Sequence, residues 1–118
     1  MPTGDRRMAK SLVYCSIMAE STTLPDLDVL TRVGTALADP IRRRVLVELL
    51  AGPAYPADLA ETCETSRANL SNHLACLRGC GLVTATAEGR RIRYELADPD
   101  LGDALHLLAS LRLAPCDE

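Results

Sequence analysis

Apolar side chains recur every three or four positions through most of the chain after residue 25. This spacing is typical of amphipathic helices. It predicts a first helix from Pro25 to about Ala38 and a last helix that starts at Asp98-Pro99. The predicted apolar faces consist of Leu27, Leu30, Val33 and Leu37 in the first helix, and of Leu101, Leu105, Leu108 and Leu111 in the last.

A second helix is predicted to start at Asp39-Pro40. Aspartate accepts hydrogen bonds from the free N–H groups of a first helical turn, and proline suits the first helical position. Gly52 is expected to end this helix. Its buried face is predicted to consist of Ile41, Val45, Leu46, Leu49 and Leu50.

Two short helices across a tight turn are predicted next, which is the pattern of a helix-turn-helix. Pro56 opens the first of them, and residues 64–66 form the turn. Thr65 or Ser66 caps the second, over about residues 67–79, and Gly81 follows its end. The side chains expected to face inward are Leu59, Cys63, Leu70, Leu74 and Leu77.

Residues 82–96 differ from the rest, because apolar and polar side chains alternate along their second half. A period of two predicts a half-buried strand. Glu88-Gly89 marks the tip of a hairpin, with Ile92, Tyr94 and Leu96 on the inner face of its second strand. A hairpin in this position is a wing, so the predicted fold is mainly α with a small β-hairpin wing, a winged helix-turn-helix.

The predicted organisation is one folded domain, residues 25–113, between a flexible arm, residues 1–24, and a tail, residues 114–118. The helix-turn-helix has a small core of its own, which leaves the apolar faces of the first and last helices to cover. They can pack on each other or on a second copy of the chain. We favour a homodimer through the first and last helices, because a two-fold protein matches palindromic DNA.

The N-terminal residues faintly resemble an export signal, because basic residues precede a short apolar run at residues 11–19. Polar residues interrupt that run and no clean cleavage site follows. No apolar run approaches the roughly 18 residues of a membrane-spanning helix. We therefore expect a cytoplasmic protein that makes no membrane contact, with its native start at Met1, Met8 or Met18.

The net charge of −3 conceals an uneven distribution. Residues 32–93 hold nine basic and six acidic residues, whereas residues 94–118 hold one basic and six acidic residues. The basic middle contains the predicted helix-turn-helix and wing, as expected of a surface that faces double-stranded DNA. The alternative is a winged helix used for protein contacts.

The predicted recognition helix carries side chains suited to base edges and phosphates. Arginine can pair with guanine and asparagine with adenine in the major groove, and serine can bond to either bases or phosphates. Arginines in the wing are expected to contact phosphates or the minor groove. The candidate DNA-binding residues are Ser66, Arg67, Asn69, Ser71, Asn72, His73, Arg90, Arg91 and Arg93.

Five scattered cysteines, an odd number, favour thiols used for ligation or redox chemistry over a secreted disulfide framework. Cys76 and Cys80 lie four residues apart on the recognition helix, so their side chains share one face about 5–6 Å apart. Thiolates bind soft ions such as Cd(II), Pb(II), Zn(II) and Cu(I). Cys63 is expected to be a core residue, and one of Cys76 and Cys80 can be a core residue too.

At this point the chain resembles the ArsR/SmtB family of metal-sensing repressors over about residues 27–113. The matching segments are ALADPIRRRVLVELL, SRANLSNHLACLRGCGLV and EGRRIRYELAD. Within the family, SNHLACLRGCGLV is most similar to the CmtR-like, cadmium- and lead-sensing branch, which carries two helix thiolates at the spacing of Cys76 and Cys80.

The resemblance implies a homodimer that represses its operator when metal-free and leaves the DNA when Cd(II) or Pb(II) binds, with Zn(II) as a further alternative. It also implies that a cysteine in the C-terminal tail completes the metal site from the partner subunit. In this chain that cysteine is Cys116, although its spacing is not that of the branch, and Cys15 is the reserve ligand.

Other signals remain open for the same cysteines. They can sense oxidation, although a disulfide between positions four apart on a helix is strained. They can also accept arsenite. An enzyme is not expected, because the sequence shows no His/Asp partner set for a thiol nucleophile, no glycine-rich phosphate loop and no small-molecule substrate site.

Overall fold

A computed structural model of the protein describes residues 26–116. They form five α-helices, a short 3₁₀ helix (Leu49–Ala51) between the second α-helix and Gly52, and one hairpin, in the order expected of a winged helix-turn-helix. Pro25, the predicted first residue of the first helix, lies outside the described residues. The elements are α1 (Leu27–Ala38), α2 (Pro40–Glu48), α3 (Pro56–Thr62), α4 (Arg67–Gly79), β1 (Val83–Glu88), β2 (Arg91–Leu96) and α5 (Pro99–Ala109).

Side-chain caps fix the starts of α2, α4 and α5. The Asp39 carboxylate accepts hydrogen bonds from the N–H groups of Ile41 and Arg42 at 2.9 and 3.1 Å, so α2 begins where predicted. The Arg42 N–H is the main cause of a pKa of Asp39 below its usual value. Ser66 caps α4 through the Asn69 N–H, and Asp98 caps α5. Of the two caps predicted for α4, Ser66 is therefore the one used.

The core lies where α2 and α3 pack against the inner face of α4. Its largest fully buried side chains are Val45, Leu46, Leu59, Leu70, Leu74 and Leu77. Ile41, Leu50 and Cys63 lie at its edge, only partly buried. The core is thus aliphatic, with Tyr94 as its one buried aromatic residue among those described.

The wing is a two-stranded antiparallel hairpin, paired from Val83↔Leu96 at its base to Glu88↔Arg91 at its tip. Gly89 has a φ of 62° in the turn, a conformation that glycine adopts at no steric cost. The base is attached to the segment before α3 by two hydrogen bonds between Ala54 and Tyr94. Ile92, predicted on the inner face, is instead 43% exposed, because it lies near the tip beyond the reach of the core.

The last helix is shorter than its apolar pattern suggested. It ends at Ala109, where Ser110 caps it, so the prediction that Leu111 belongs to the helical face is wrong. Leu105 is buried, but Leu107, Leu108, Leu111 and Leu113 are half to three-quarters exposed. None of the described helices is long and apolar enough to cross a membrane.

Candidate nucleic-acid interface and metal site

The first turns of α4 present most of the predicted DNA-binding residues to solvent. Ser66, Arg67, Asn69, Ser71 and Asn72 are all exposed. The Asn69 amide donates to the Thr65 hydroxyl at 2.8 Å, which fixes the orientation of that side chain. An exposed helix end of this kind can enter the major groove with its side chains directed at base edges.

His73, also predicted to bind DNA, is less exposed than the other candidate residues of α4. Its side chain is 18% exposed, and its Nδ1 lies 3.8 Å from the Asp39 carboxylate, the cap of α2. The histidine thus faces the junction of α2 and α4 rather than open solvent. Its assignment to DNA binding stays a prediction.

The three wing arginines differ in what they contact. Arg93 donates to Glu88 at 2.9 Å and lies 3.6 Å from Glu95, so its charge is already paired. Arg91 lies over the ring of Tyr55, 3.5 Å from the ring centroid. Arg90 is exposed, and no described side chain pairs with it.

Tyr55 connects the wing to the start of α3, a role that nothing in the sequence indicated. Its hydroxyl donates to Glu88 at 2.7 Å, and this hydrogen bond is the main cause of a raised pKa of Tyr55. Beside it lies an open cleft of roughly 190 Å³ whose lining includes Arg67, Arg90 and Arg91. Arginine residues of the recognition helix and the wing thus share one cleft, and arginine is well suited to binding phosphate.

Cys76 and Cys80 lie at the other end of α4, both half-buried, and Cys80 packs against the edge of the core as Cys63 does. Cys80 is the C-cap residue and keeps helical dihedral angles, and its N–H donates to the Cys76 carbonyl at 3.0 Å. The two thiols therefore stand one helical turn apart, as predicted. Two thiolates one helical turn apart can bind the same soft ion. Two ligands are too few to complete its coordination.

Two arginines from the preceding helices contact this turn. Arg42 Nη1 donates to Cys76 Sγ at 3.2 Å, and Arg32 Nη1 donates to the Cys80 carbonyl at 3.1 Å. The sequence indicates neither contact. Residues 42–44 are three consecutive arginines, and no local pattern shows which of them faces a thiol.

The remaining cysteines do not complete a site within one chain. Cys116 is exposed in the segment after α5, and residues 26–116 of a single chain contain no group of three or more potential metal ligands. Cys63 is packed against the core, where burial raises the pKa of its thiol. Cys15, the reserve ligand, lies outside the described residues.

Comparison with known proteins identifies relatives of the whole winged helix. The family model for arsR-family bacterial regulatory proteins matches residues 39–85. The transcriptional regulator CmtR of Mycobacterium tuberculosis is 58% identical over 85 residues, which cover 72% of each chain.

Two solved structures share the fold. The NMR structure of the cadmium metal-sensor CmtR from M. tuberculosis superposes with a TM-score of 0.60 at 54% identity, over 75% of this chain and 97% of that one. A homodimeric winged helix-turn-helix DNA-binding domain from Mycobacterium bovis gives 0.66 at 28% identity, over 86% and 87%.

The residues matched by the family model include Cys76 and Cys80. The family consists of transcriptional regulators rather than enzymes. The chain belongs to the arsR family of bacterial regulatory proteins and is similar to its cadmium-sensing member CmtR.

Proposed function

We propose that the protein is a repressor that binds operator DNA as a homodimer when metal-free and dissociates when Cd(II) or Pb(II) binds to Cys76, Cys80 and Cys116. The observation that carries the proposal is the pair of thiols one turn apart at the end of the recognition helix. The M. tuberculosis relative, a cadmium metal sensor, supports the choice of ion. We expect a bacterial repressor of this family to act in the cytoplasm, where its DNA lies.

The distribution of charge and exposure supports DNA as the partner. Arg67 and Arg90 are exposed beside the same cleft, and the polar side chains of α4 lie next to it along the helix. In this arrangement α4 contacts base edges while the wing and the cleft contact the backbone on either side.

The exposed leucines of the α5 region support a homodimer. Leu107 and Leu113 are 70% and 78% exposed in the single chain. Fully burying one such side chain at an interface contributes about 1.5–3 kcal/mol of hydrophobic stabilisation. The M. bovis neighbour with the same fold is itself homodimeric.

A homodimer also supplies what one chain lacks, a third soft ligand. Cys116 lies six residues beyond the C-cap of α5, and the proposal assigns it to the site of the partner subunit. Three thiolates with no imidazole suit Cd(II) or Pb(II), and Zn(II) remains a weaker alternative because it prefers four ligands.

The mechanism follows from the position of the thiols on α4. A bound ion supplies strong bonds to thiolate sulfur. Cys76, Cys80 and Cys116 would hold the ion and so tie the end of α4 to the tail, and Cys116 rather than the DNA would then set the tilt of the helix. Release requires tighter metal binding to the free protein than to the complex, and a coupling of about 3 kcal/mol weakens operator binding roughly 150-fold.

The test starts from duplexes selected out of a random DNA pool by the reduced, metal-free protein, whose affinity is measured by fluorescence anisotropy. Cd(II) is expected to release the selected duplex from the wild type but not from Cys76→Ser. Cys63→Ser, a change of the same kind outside the site, should still respond. Release by oxidant or arsenite with no response to Cd(II) or Pb(II) would replace the metal signal with one of those alternatives.

A further inference from the structure

The end of α4 that carries the thiols is held by positive charge. Arg42 contacts the sulfur of Cys76, and Arg32 contacts the carbonyl of Cys80, so each cysteine of the pair has a guanidinium beside it. The N–S distance of 3.2 Å for Arg42 is well within the range of an N–H···S hydrogen bond. A surface arginine that only interacts with solvent would make no such contact.

Arg42 donates hydrogen bonds from both terminal nitrogens of its guanidinium, whereas its buried Nε has no hydrogen-bond partner among the described residues. Its backbone N–H donates to the Asp39 cap, which sets the first turn of α2. Its Nη2 donates to the Thr35 carbonyl of α1 at 3.3 Å while Nη1 donates to Cys76. Arg42 therefore connects α1, α2 and α4 at the proposed metal site.

The net charge of the proposed metal site favours a nearby cation such as the guanidinium of Arg42. A divalent ion with three thiolates carries a net charge of −1, which is unfavourable in a half-buried position unless a cation lies close by. A thiolate has more than one lone pair, so a sulfur that binds the ion can still accept an N–H. Charge-assisted hydrogen bonds are about twice as strong as neutral ones.

We propose that Arg42 is a positioning residue of the metal site, which stays on Cys76 Sγ when the ion binds, orients that sulfur and offsets the negative charge of the thiolate group. This inference rests on the proposed function, because it assumes that Cys76 is a metal ligand. Groups outside the direct ligand set commonly change metal affinity by 10–100-fold.

Arg43 provides a matched control one residue away. It has the same charge and lies in the same turn of α2, but its Nη1 donates to the Leu37 carbonyl at 2.9 Å instead of to a thiol. A general effect of positive charge on metal binding would therefore be common to Arg42→Gln and Arg43→Gln. An effect of the Arg42–Cys76 contact would be confined to the first.

The test measures Cd(II) affinity of the full chain by competition with a chromophoric chelator at fixed pH. Arg42→Gln is expected to weaken Cd(II) binding by about 10–100-fold and to shift the ultraviolet thiolate-to-metal band. Arg43→Gln should leave both unchanged, and Arg42→Lys should recover part of the loss because it restores the charge. Equal affinity in Arg42→Gln and wild type, or tighter binding in the variant, would overturn the proposal.

A second measurement on the wild type avoids the risk that Arg42→Gln fails to fold. The side-chain N–H signals of Arg42, assigned by their loss in Arg42→Lys, are expected to shift on binding of ¹¹³Cd and to show coupling to the metal through the sulfur. Signals that do not change on binding would contradict the proposal. If the wild type itself shows no thiolate-to-metal band, the metal site fails and this inference fails with it, whereas a normal band with an unaffected Arg42→Gln rejects Arg42 alone.

Discussion

The two ends of α4 differ in what surrounds them. At the N-terminal end, Arg67 and Asn72 are exposed, and the side-chain hydrogen bonds among the described residues are confined to the cap and the adjoining turn. At the C-terminal end, Cys76 and Cys80 are half-buried and contacted by arginines from two other helices. The N-terminal end is open to a partner, whereas the C-terminal end is held by arginines of α1 and α2. A change at the C-terminal end can therefore alter how the N-terminal end faces the DNA.

The link between the ends is the buried face of the helix. Leu70, Leu74 and Leu77 are all 2% exposed or less, so α4 is held along its length and behaves as one rigid element. Two distant sites can influence each other through a rigid element that can take two discrete positions. The comparison therefore predicts that the ends can be disabled separately, whereas damage to the buried face disables both.

The largest effect is expected from the buried face. Leu70→Ala removes a fully buried side chain and should lower the free energy of unfolding by about 2–5 kcal/mol. Urea denaturation followed by circular dichroism measures this change. Asn72→Ala, exposed on the same helix, should change the unfolding free energy by less than about 0.5 kcal/mol. Similar losses in the two variants would mean that α4 is not held by its apolar face.

A change confined to the C-terminal end comes next. Cys80→Ser should abolish the effect of Cd(II) on DNA binding, which is a loss of about 3 kcal/mol of coupling, while the metal-free variant still binds the selected duplex. The measurement is an anisotropy titration with and without Cd(II). A variant that no longer binds DNA at all would show that Cys80 supports the fold rather than the signal.

The reciprocal change affects the N-terminal end. Arg67→Ala should weaken binding of the selected duplex by about 1–3 kcal/mol if the side chain contacts a base edge, and should leave the Cd(II) affinity unchanged. Anisotropy gives the first quantity and chelator competition the second. A parallel loss of Cd(II) affinity would contradict the separation of the two ends.

The smallest effect distinguishes the wing arginines. Arg90 is exposed, whereas Arg93 is paired with Glu88 and Glu95. Arg90→Ala should reduce the slope of the logarithm of DNA affinity against the logarithm of salt concentration by about 1, as expected for the loss of one phosphate contact. Arg93→Ala should change that slope less, and the opposite order would assign the phosphate contact to Arg93.

The sequence correctly predicted those helix bounds that neighbouring residues determine, such as caps and glycines at helix ends. The bounds of α4, Arg67–Gly79, match the prediction because Ser66 caps one end and Gly81, with a φ of 79°, follows the other. The spacing of Cys76 and Cys80 predicted their shared turn for the same reason. The end of α5 was harder to predict, because the leucine pattern continues past Ala109 into a segment that is not helical.

Contacts between distant residues could not be predicted. Arg42 and Cys76 are 34 positions apart, and Tyr55 and Glu88 are 33 positions apart. Only the packing of α2 and α3 against α4 and the wing brings them together. The ligand set is incomplete in one chain for a related reason, since Cys116 is proposed to act on the partner subunit, so that part of the site stays a prediction.

The most direct test of the central claim is a Cd(II) titration of the reduced protein, followed in the ultraviolet, beside Cys76→Ser, Cys80→Ser and Cys116→Ser. The proposed site predicts a thiolate-to-metal band that saturates at one ion per chain and weakens in all three variants. A band that persists unchanged in Cys116→Ser would transfer the third ligand elsewhere, with Cys15 as the next candidate. No band in the wild type would contradict the account, leaving an arsR-family DNA-binding protein whose signal is not a metal ion.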